Sequence, residues 1–552
     1  MLFALAWQDY LVVAVYVAVL AGMGWYFARR QKSADEYFLA SRRVPWFAVG
    51  VSIIATLMSS LTYLSEPGEV WQSGITTLLG KAWAILTEMF FVLFFFIPFL
   101  MRFRFTSAYE FLGVRFGPKT RWFGVVMFVC LVVFWMGFVV LAMARAVSQV
   151  AGVRLEAVIA TVGLIGTIYT VAGGIRAVIW KEVLQVILML GGCVVCMAYV
   201  SAATGGTWLP DWFQATLDYR REVEGQSISL VSFDPFRRIS VFTFGLTMFV
   251  WHFCTHLGNQ MVVQRYFSCE DLKAARRSFV TAAMFSILIN SMLVFVGLAL
   301  IYFYQNGHGT LPLDPKVKRD ADLIFPTFMV QQLPAGLAGA VLTAVLSAAM
   351  STIDSGINAI GTVLTVERRR FSRERERALN PDSPQHSVRF ARVVTLVAGL
   401  CITLAAYGLD RITAGRNILE MMPRSFNCFL MPLGTLFILG MFVPRCGPRA
   451  AVFGAVAAFA TAVSIAYAKE LYGVKELSFT WILPGALAVG LSVGIVGGIW
   501  DRSRPEQVAG LTWFTRHAIP KIDRQLIAPW LLKEIESKES ATFAADTDVK
   551  TT

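Results

Sequence analysis

Runs of roughly twenty apolar residues recur from one end of this chain to the other, and few folds accommodate them. A helix of that length crosses a ~30 Å hydrocarbon core. With no water there for backbone polar groups, only helices and closed barrels can span. About thirteen such runs are legible: 7–28, 45–65, 73–101, 119–150, 155–175, 177–204, 239–262, 277–305, 335–366, 389–408, 424–443, 447–468 and 480–500. Only 15% of the residues are charged and 56% are hydrophobic, so the expectation is an all-α polytopic membrane protein inserted in the cell (plasma or inner) membrane.

The formal net charge of +13 would suit nucleic acid if it formed one patch. Instead it falls in alternate loops: around Arg29 and Arg43, Arg102 to Arg121, Arg265 to Arg277, and Arg368 to Arg373. All four share one side if the N-terminus is outside and the C-terminus cytoplasmic, as the positive-inside rule asks. The charge is an orientation signal, and no nucleic-acid partner is expected. The first run starts near Trp7 with no basic segment or small-residue cleavage site, which reads as a retained helix. Cys193 and Cys196 are spaced C-x-x-C, but inside an apolar helix, where packing is the simpler role.

Two runs look interrupted. Ile54 to Thr62 leads into Ser65-Glu66-Pro67-Gly68, and Trp251 to His256 leads into Gly258-Asn259-Gln260. Each opens a block of five runs, 45–204 and 239–443. Broken helices at corresponding places in two blocks mark an inverted-repeat transporter with its binding site where the helices unwind. Five is odd, so the second block enters from the opposite side. Around the blocks lie a leading segment 1–44, an outer loop 205–238, two accessory helices in 444–500 and a cytoplasmic tail 501–552. Within the tail, 522–535 has an amphipathic pattern suited either to the membrane surface or to a loose tail, and the last dozen residues read as disordered.

Ala335 to Val366 carries a hydroxyl-rich patch, Ala348-Ala349-Met350-Ser351-Thr352-Ile353-Asp354-Ser355. Polar groups at membrane depth face a bundle interior, a cavity or an ion; alternatively, the hydroxyls bond back to the carbonyl four residues earlier.

Four stretches together resemble the sodium:solute symporter family: Ser33-Ala34-Asp35-Glu36-Tyr37-Phe38-Leu39-Ala40, Tyr169 to Val178 (YTVAGGIRAV), Asn259 to Tyr266 (NQMVVQRY) and Ala349 to Ala359. Phe105 to Leu112 and Phe437 to Pro444 are similar to its iodide, monocarboxylate and multivitamin branch. The resemblance implies a LeuT-type fold of 5+5 inverted repeats with about thirteen transmembrane helices. It also implies a sodium site made by the carbonyls of Ala55, Met58 and Ala348 with the hydroxyls of Ser351 and Thr352. The donor chemistry agrees, since a hard cation takes oxygen ligands.

Other candidates follow. Asp354, one turn beyond Ser351, either assists sodium exit or makes an interhelical bond. Glu182 stands where the family usually has an acid after Thr, but here Lys181 precedes it, and the two are expected to neutralise each other at the cytoplasmic surface. Lys81 and Glu88 lie on one helical face. Lys81 either snorkels to the interface or faces the cavity and attracts an anion. His252 and His256 have metal-binding i, i+4 spacing; lacking a third ligand nearby in sequence, cavity lining is favoured. Ser59, Ser60 and Thr62 opposite Thr255 and His256 are the expected solute contacts.

The expected function is sodium-coupled import of a small organic solute by alternating access, a monocarboxylate or other organic anion first, a sugar or amino acid second. No nucleophile–base set, P-loop or zinc motif suggests an enzyme. A transporter-like sensor would bind without transport, and a passive channel would not accumulate its solute above equilibrium.

Overall fold

The structure is a computed structural model. It describes residues 6–29, 34–224, 232, 234, 236–311, 318–376, 384–413, 418–475 and 477–518, with 520, 522, 524–529, 531, 532 and 535 beyond. The last dozen residues lie outside the described set.

Helices account for nearly all the regular structure. The principal ones are α1 (Trp7–Ala28), α2 (Trp46–Leu57), α3 (Ser60–Ser73), α4 (Thr76–Phe91), α5 (Pro118–Ala151), α6 (Leu155–Ala203) and α7 (Val241–Gly258). They continue with α8 (Gln260–Phe267), α9 (Leu272–Gln305), α10 (Leu337–Glu376), α11 (Pro384–Ile412), α12 (Ile418–Phe442), α13 (Pro448–Ala466) and α14 (Ile482–Gly497). Among the described residues, ten helices are long and apolar enough to cross a membrane, and the bent pair α2–α3 makes eleven. The apparent shortfall from thirteen has a local cause. The run 155–175 has only a short apolar helix, Leu155–Ile168, before Gly174 breaks the helical path at φ 56°, a value that glycine adopts cheaply. The run 239–262 is divided between α7 and α8.

Both interruptions are capping events. α2 stops at Leu57, Met58 and Ser59 are extended, and the Ser59 hydroxyl accepts from Thr62 N at 3.4 Å to start α3. The bend is 68°. Pro67, just beyond the interrupted stretch, sits inside α3. In the second case Asn259 is extended, and its side chain accepts from Met261 N at 3.0 Å. Ser and Asn do this because a short polar side chain can satisfy the orphan N–H groups of a helix start.

The segment 205–238, expected as a loop, contains a helix at Leu209–Glu224, and 306–334 contains one at Lys318–Gln331. The tail is anchored: Ala528 N donates to Arg102 O at 2.9 Å, Arg104 N to Leu526 O at 2.8 Å and Trp513 N to Met441 O at 2.8 Å. Of the two expectations for 522–535, these bonds speak against the loose tail.

Candidate functional site

At the α2–α3 break, carbonyls released from helical bonding meet the hydroxyl patch of α10. Ser351 Oγ lies 2.9 Å from Ala55 O and 3.1 Å from Ala348 O. Thr352 Oγ1 lies 3.3 Å from Met58 O and 3.1 Å from Ala348 O. All five residues are buried. The five oxygens proposed from the sequence therefore share one small space, with back-bonding to Ala348 as only part of what the hydroxyls do. Oxygens about 3.3 Å apart are the edges of an octahedron with bonds of about 2.3 Å, the range that a hard cation of calcium's size takes; sodium's radius is close to calcium's.

On the α2 side of this cluster lies a buried charge network. The Arg265 guanidinium of α8 donates to Glu182 Oε1 and Oε2 at 2.8 and 2.9 Å, and to Ser52 and Ser355 hydroxyls at 2.6 Å each. Glu182 also accepts from Ser52, Ser355 and Thr56. Lys181 pairs with Asp354 at 2.8 Å, and Thr170 donates to Asp354 at 2.6 Å. Lys181 and Glu182 are fully buried. The expected surface pair Lys181–Glu182 is thus corrected. Neighbours on a helix point about 100° apart, so each finds its partner on a different helix. Asp354 makes the interhelical bond that was one of the two roles open to it.

On the α3 side is a cavity of about 230 Å³ lined by Met58, Ser59, Thr62, Glu66, Lys81, Trp135, Thr247, Trp251, His252, Asn290 and Asn427, among others. Lys81 does not snorkel. Its ammonium is buried, 2.5 Å from Glu66 Oε2 and 2.8 Å from Asn290 Oδ1, while Thr77 donates to Glu66 Oε1 at 2.7 Å. Sequence reasoning missed Glu66 as a partner, although it stood in the first interrupted run. Ser59 and Thr62 line the cavity as expected and Lys81 takes the second of its two open positions; Ser60, Thr255 and His256 do not line it. Trp135 Nε1 and Asn427 Oδ1 are buried and make no hydrogen bond, leaving a donor and an acceptor for a guest. Glu88 does not join Lys81: its carboxylate lies 3.4 Å from His252 Nδ1 and 3.9 Å from His256 Nε2. A third group of ligand chemistry, which the histidine pair lacked in sequence, is therefore present in space.

The two broken helices cross this level in opposite senses. α2 leaves the charge network and α3 enters the cavity; α7 leaves the cavity and α8 enters the network. That is the inversion inferred from the odd number of helices per block.

A profile of the sodium:solute symporter family matches residues 37–458. The chain is 30% identical over 499 residues to the sodium/sialic acid symporter SiaT of Proteus mirabilis, covering 88% of this chain and 95% of that one. It is 31% identical to the human sodium/iodide cotransporter (89% and 74% covered) and 29% identical to human sodium-coupled monocarboxylate transporter 1 (84% and 74% covered). A solved substrate-bound, outward-open state of a Na+-coupled sialic acid symporter superposes with a TM-score of 0.75 at 27% identity, over 90% of this chain and 99% of that one. The nucleobase-cation-symport-1 transporter Mhp1 shares the fold alone, with a TM-score of 0.54 at 15% identity. These likenesses agree with a LeuT-type architecture.

Proposed function

Because the chain belongs to the sodium:solute symporter family, with sodium as the co-transported ion, we propose that it imports a small organic carboxylate through the cavity beside Lys81. The reading rests on one observation above the rest: the five oxygens of Ala55, Met58, Ala348, Ser351 and Thr352 converge between α2, α3 and α10. In this reading they hold sodium. An ion there ties the broken helix of the first repeat to α10 of the second, and it favours whichever state keeps those oxygens together. The cavity on the α3 side is the solute entrance, and the Arg265–Glu182 and Lys181–Asp354 pairs close the opposite side. Inward release requires α2, α6, α8 and α10 to part there. Glu182 and Asp354 accordingly act as coupling residues through their cations.

The solute is met by Ser59, Thr62 and Lys81, with Ser60, Thr255 and His256 behind the lining. An ammonium has three donors, and Glu66 and Asn290 take two; the third is available to a carboxylate. The relatives' substrates include sialic acid and monocarboxylates, consistent with an acid in the cavity. Glu66 neutralises Lys81, which equally suits a neutral hydroxylated solute or an amino-acid zwitterion as a second reading. The basic loops put the N-terminus outside and the C-terminus in the cytoplasm. One charge falling through roughly 150 mV gains about 3.5 kcal/mol, and a tenfold sodium gradient adds about 1.4, enough for one ion to accumulate a neutral solute on the thousandfold scale; a carboxylate carried with one sodium moves no net charge and draws on the roughly tenfold gradient alone.

The test is uptake into proteoliposomes under an inward sodium gradient, with labelled lactate, sialic acid, iodide, glucose and alanine compared. Sodium-dependent accumulation of the carboxylates and loss of it in Ser351→Ala/Thr352→Ala support the reading. Accumulation of only the sugar or the amino acid moves the solute to the second reading, and sodium-independent uptake overturns the ion assignment.

A further inference from the structure

Among the described residues, a buried group of titratable side chains lies at the edge of the cavity and outside the charge network. Glu88 on α4 faces His252 and His256 on α7, and one ligand atom from each lies within 4.8 Å of the others. The histidines are four residues apart and so share a helical face. Glu88 Oε2 to His252 Nδ1 is 3.4 Å and Glu88 Oε1 to His256 Nε2 is 3.9 Å. Zinc bonds of about 2.0–2.1 Å in tetrahedral geometry place ligand atoms about 3.3 Å apart. The first separation already meets that value, while the second, and that between the two histidine nitrogens (within 4.8 Å), must shorten for all three groups to hold one ion.

Three further observations point to a cation. Glu88 Oε2 and His252 Nδ1 make no hydrogen bond, and Glu88 is only 2% exposed. A buried carboxylate oxygen without a partner is costly, and Lys81, the cation on the same helix, is committed to Glu66. Secondly, His256 Nδ1 lies 2.6 Å from the Tyr266 hydroxyl. With Nδ1–H donating to that oxygen, the Nε2 lone pair faces Glu88. A metal-binding histidine is commonly held by such a bond at its other nitrogen. Thirdly, the site is dry on one side and reachable on the other: the Phe279 ring meets His256 edge-on at 5.1 Å, while His252 lines the solute cavity.

We propose that Glu88, His252 and His256 form a three-ligand site for a borderline divalent transition cation, Zn²⁺ or its analogue Co²⁺, with the fourth position left open toward the cavity. Nitrogen and carboxylate donors suit such ions, whereas the all-oxygen cluster at Ser351 and Thr352 suits hard ones. The two sites therefore sort ions by chemistry. A metal held here bridges α4 of the first repeat to the first half of the second repeat's broken helix, and it occupies the cavity wall as a fixture distinct from the transported sodium.

The experiment titrates Co²⁺ and Zn²⁺ into the purified full chain in detergent, with any purification tag removed. It follows visible absorption and bound metal by mass spectrometry. The expected result is one Co²⁺ per chain with the intense bands of a four-coordinate site, displaced by Zn²⁺. Tyr266→Phe should weaken binding about 10- to 100-fold, and Glu88→Gln and His252→Gln should each weaken it by at least as much. Cys193→Ser/Cys196→Ser should leave it unchanged. The proposal is overturned if folded wild-type protein shows no saturable binding, which would leave Glu88 and the histidines sharing a proton. It is also overturned if binding survives in the folded His252→Gln variant or disappears in the cysteine variant. None of these readouts depends on solute uptake, so this proposal and the symport reading fail separately.

Discussion

Replacing Thr352 by valine tests the sodium assignment at one atom. Valine keeps the shape of threonine and removes only the oxygen that lies 3.1 Å from Ala348 O and 3.3 Å from Met58 O. Thr352 is fully buried, so packing is preserved. An interaction with a charged partner contributes about 1.5–3 kcal/mol, and sodium loses that with the oxygen. The ion-free protein loses the same hydroxyl's hydrogen bond, about 1 kcal/mol, which works the other way. The net loss is about 0.5–2 kcal/mol, roughly a 2- to 30-fold rise in half-saturating sodium. Thr352→Ser retains the oxygen and should stay within about twofold. Half-saturating sodium would be read from tryptophan fluorescence of the purified protein, since Trp135 and Trp251 line the adjoining cavity, and again from uptake. Unchanged sodium affinity in the folded valine variant, or a serine variant as impaired as the valine one, would refute the reasoning.

Other predictions rest on separate contacts. Glu182→Ala leaves the Arg265 guanidinium buried without its carboxylate and should cost about 3–5 kcal/mol, seen as a clear fall in the thermal unfolding midpoint; an unchanged midpoint would show the network to be energetically idle. Lys81→Met should raise half-saturating solute at least about tenfold, the worth of one charge-assisted hydrogen bond, while sodium affinity at Ser351 and Thr352 stays put; equal losses in both would argue against a local solute contact. Gly50→Ala puts a Cβ 2.4 Å from Ser278 O and 2.6 Å from Thr281 Cβ, forcing α2 off α9. Overpacking of this kind costs about 1–3 kcal/mol, measurable as reduced thermal stability, and a neutral variant would show that the interface yields.

The candidate sodium site was legible because its signal is compositional. Hydroxyls and a helix break are conspicuous in an apolar run, and Ser351 and Thr352 met the carbonyls of Ala55 and Met58 where the resemblance implied. Charged pairs were less legible. Lys181 and Glu182 are adjacent in sequence yet bond to Asp354 and Arg265, and Lys81 chose Glu66 over Glu88, its neighbour on the same face. Pro67 does not make the break: Ser59 provides the cap that starts the second half-helix, and Pro67 is accommodated inside it.

The sequence alone determined that helices of membrane length would form and where two of them would break, because length, apolarity and capping residues act within a few turns of chain. The tertiary structure alone decided which buried charges pair, which polar residues line the cavity, and that Glu88 joins His252 and His256. A buried ion's partner is whatever the packing of separate helices brings within hydrogen-bond reach, and no local spacing encodes that distance.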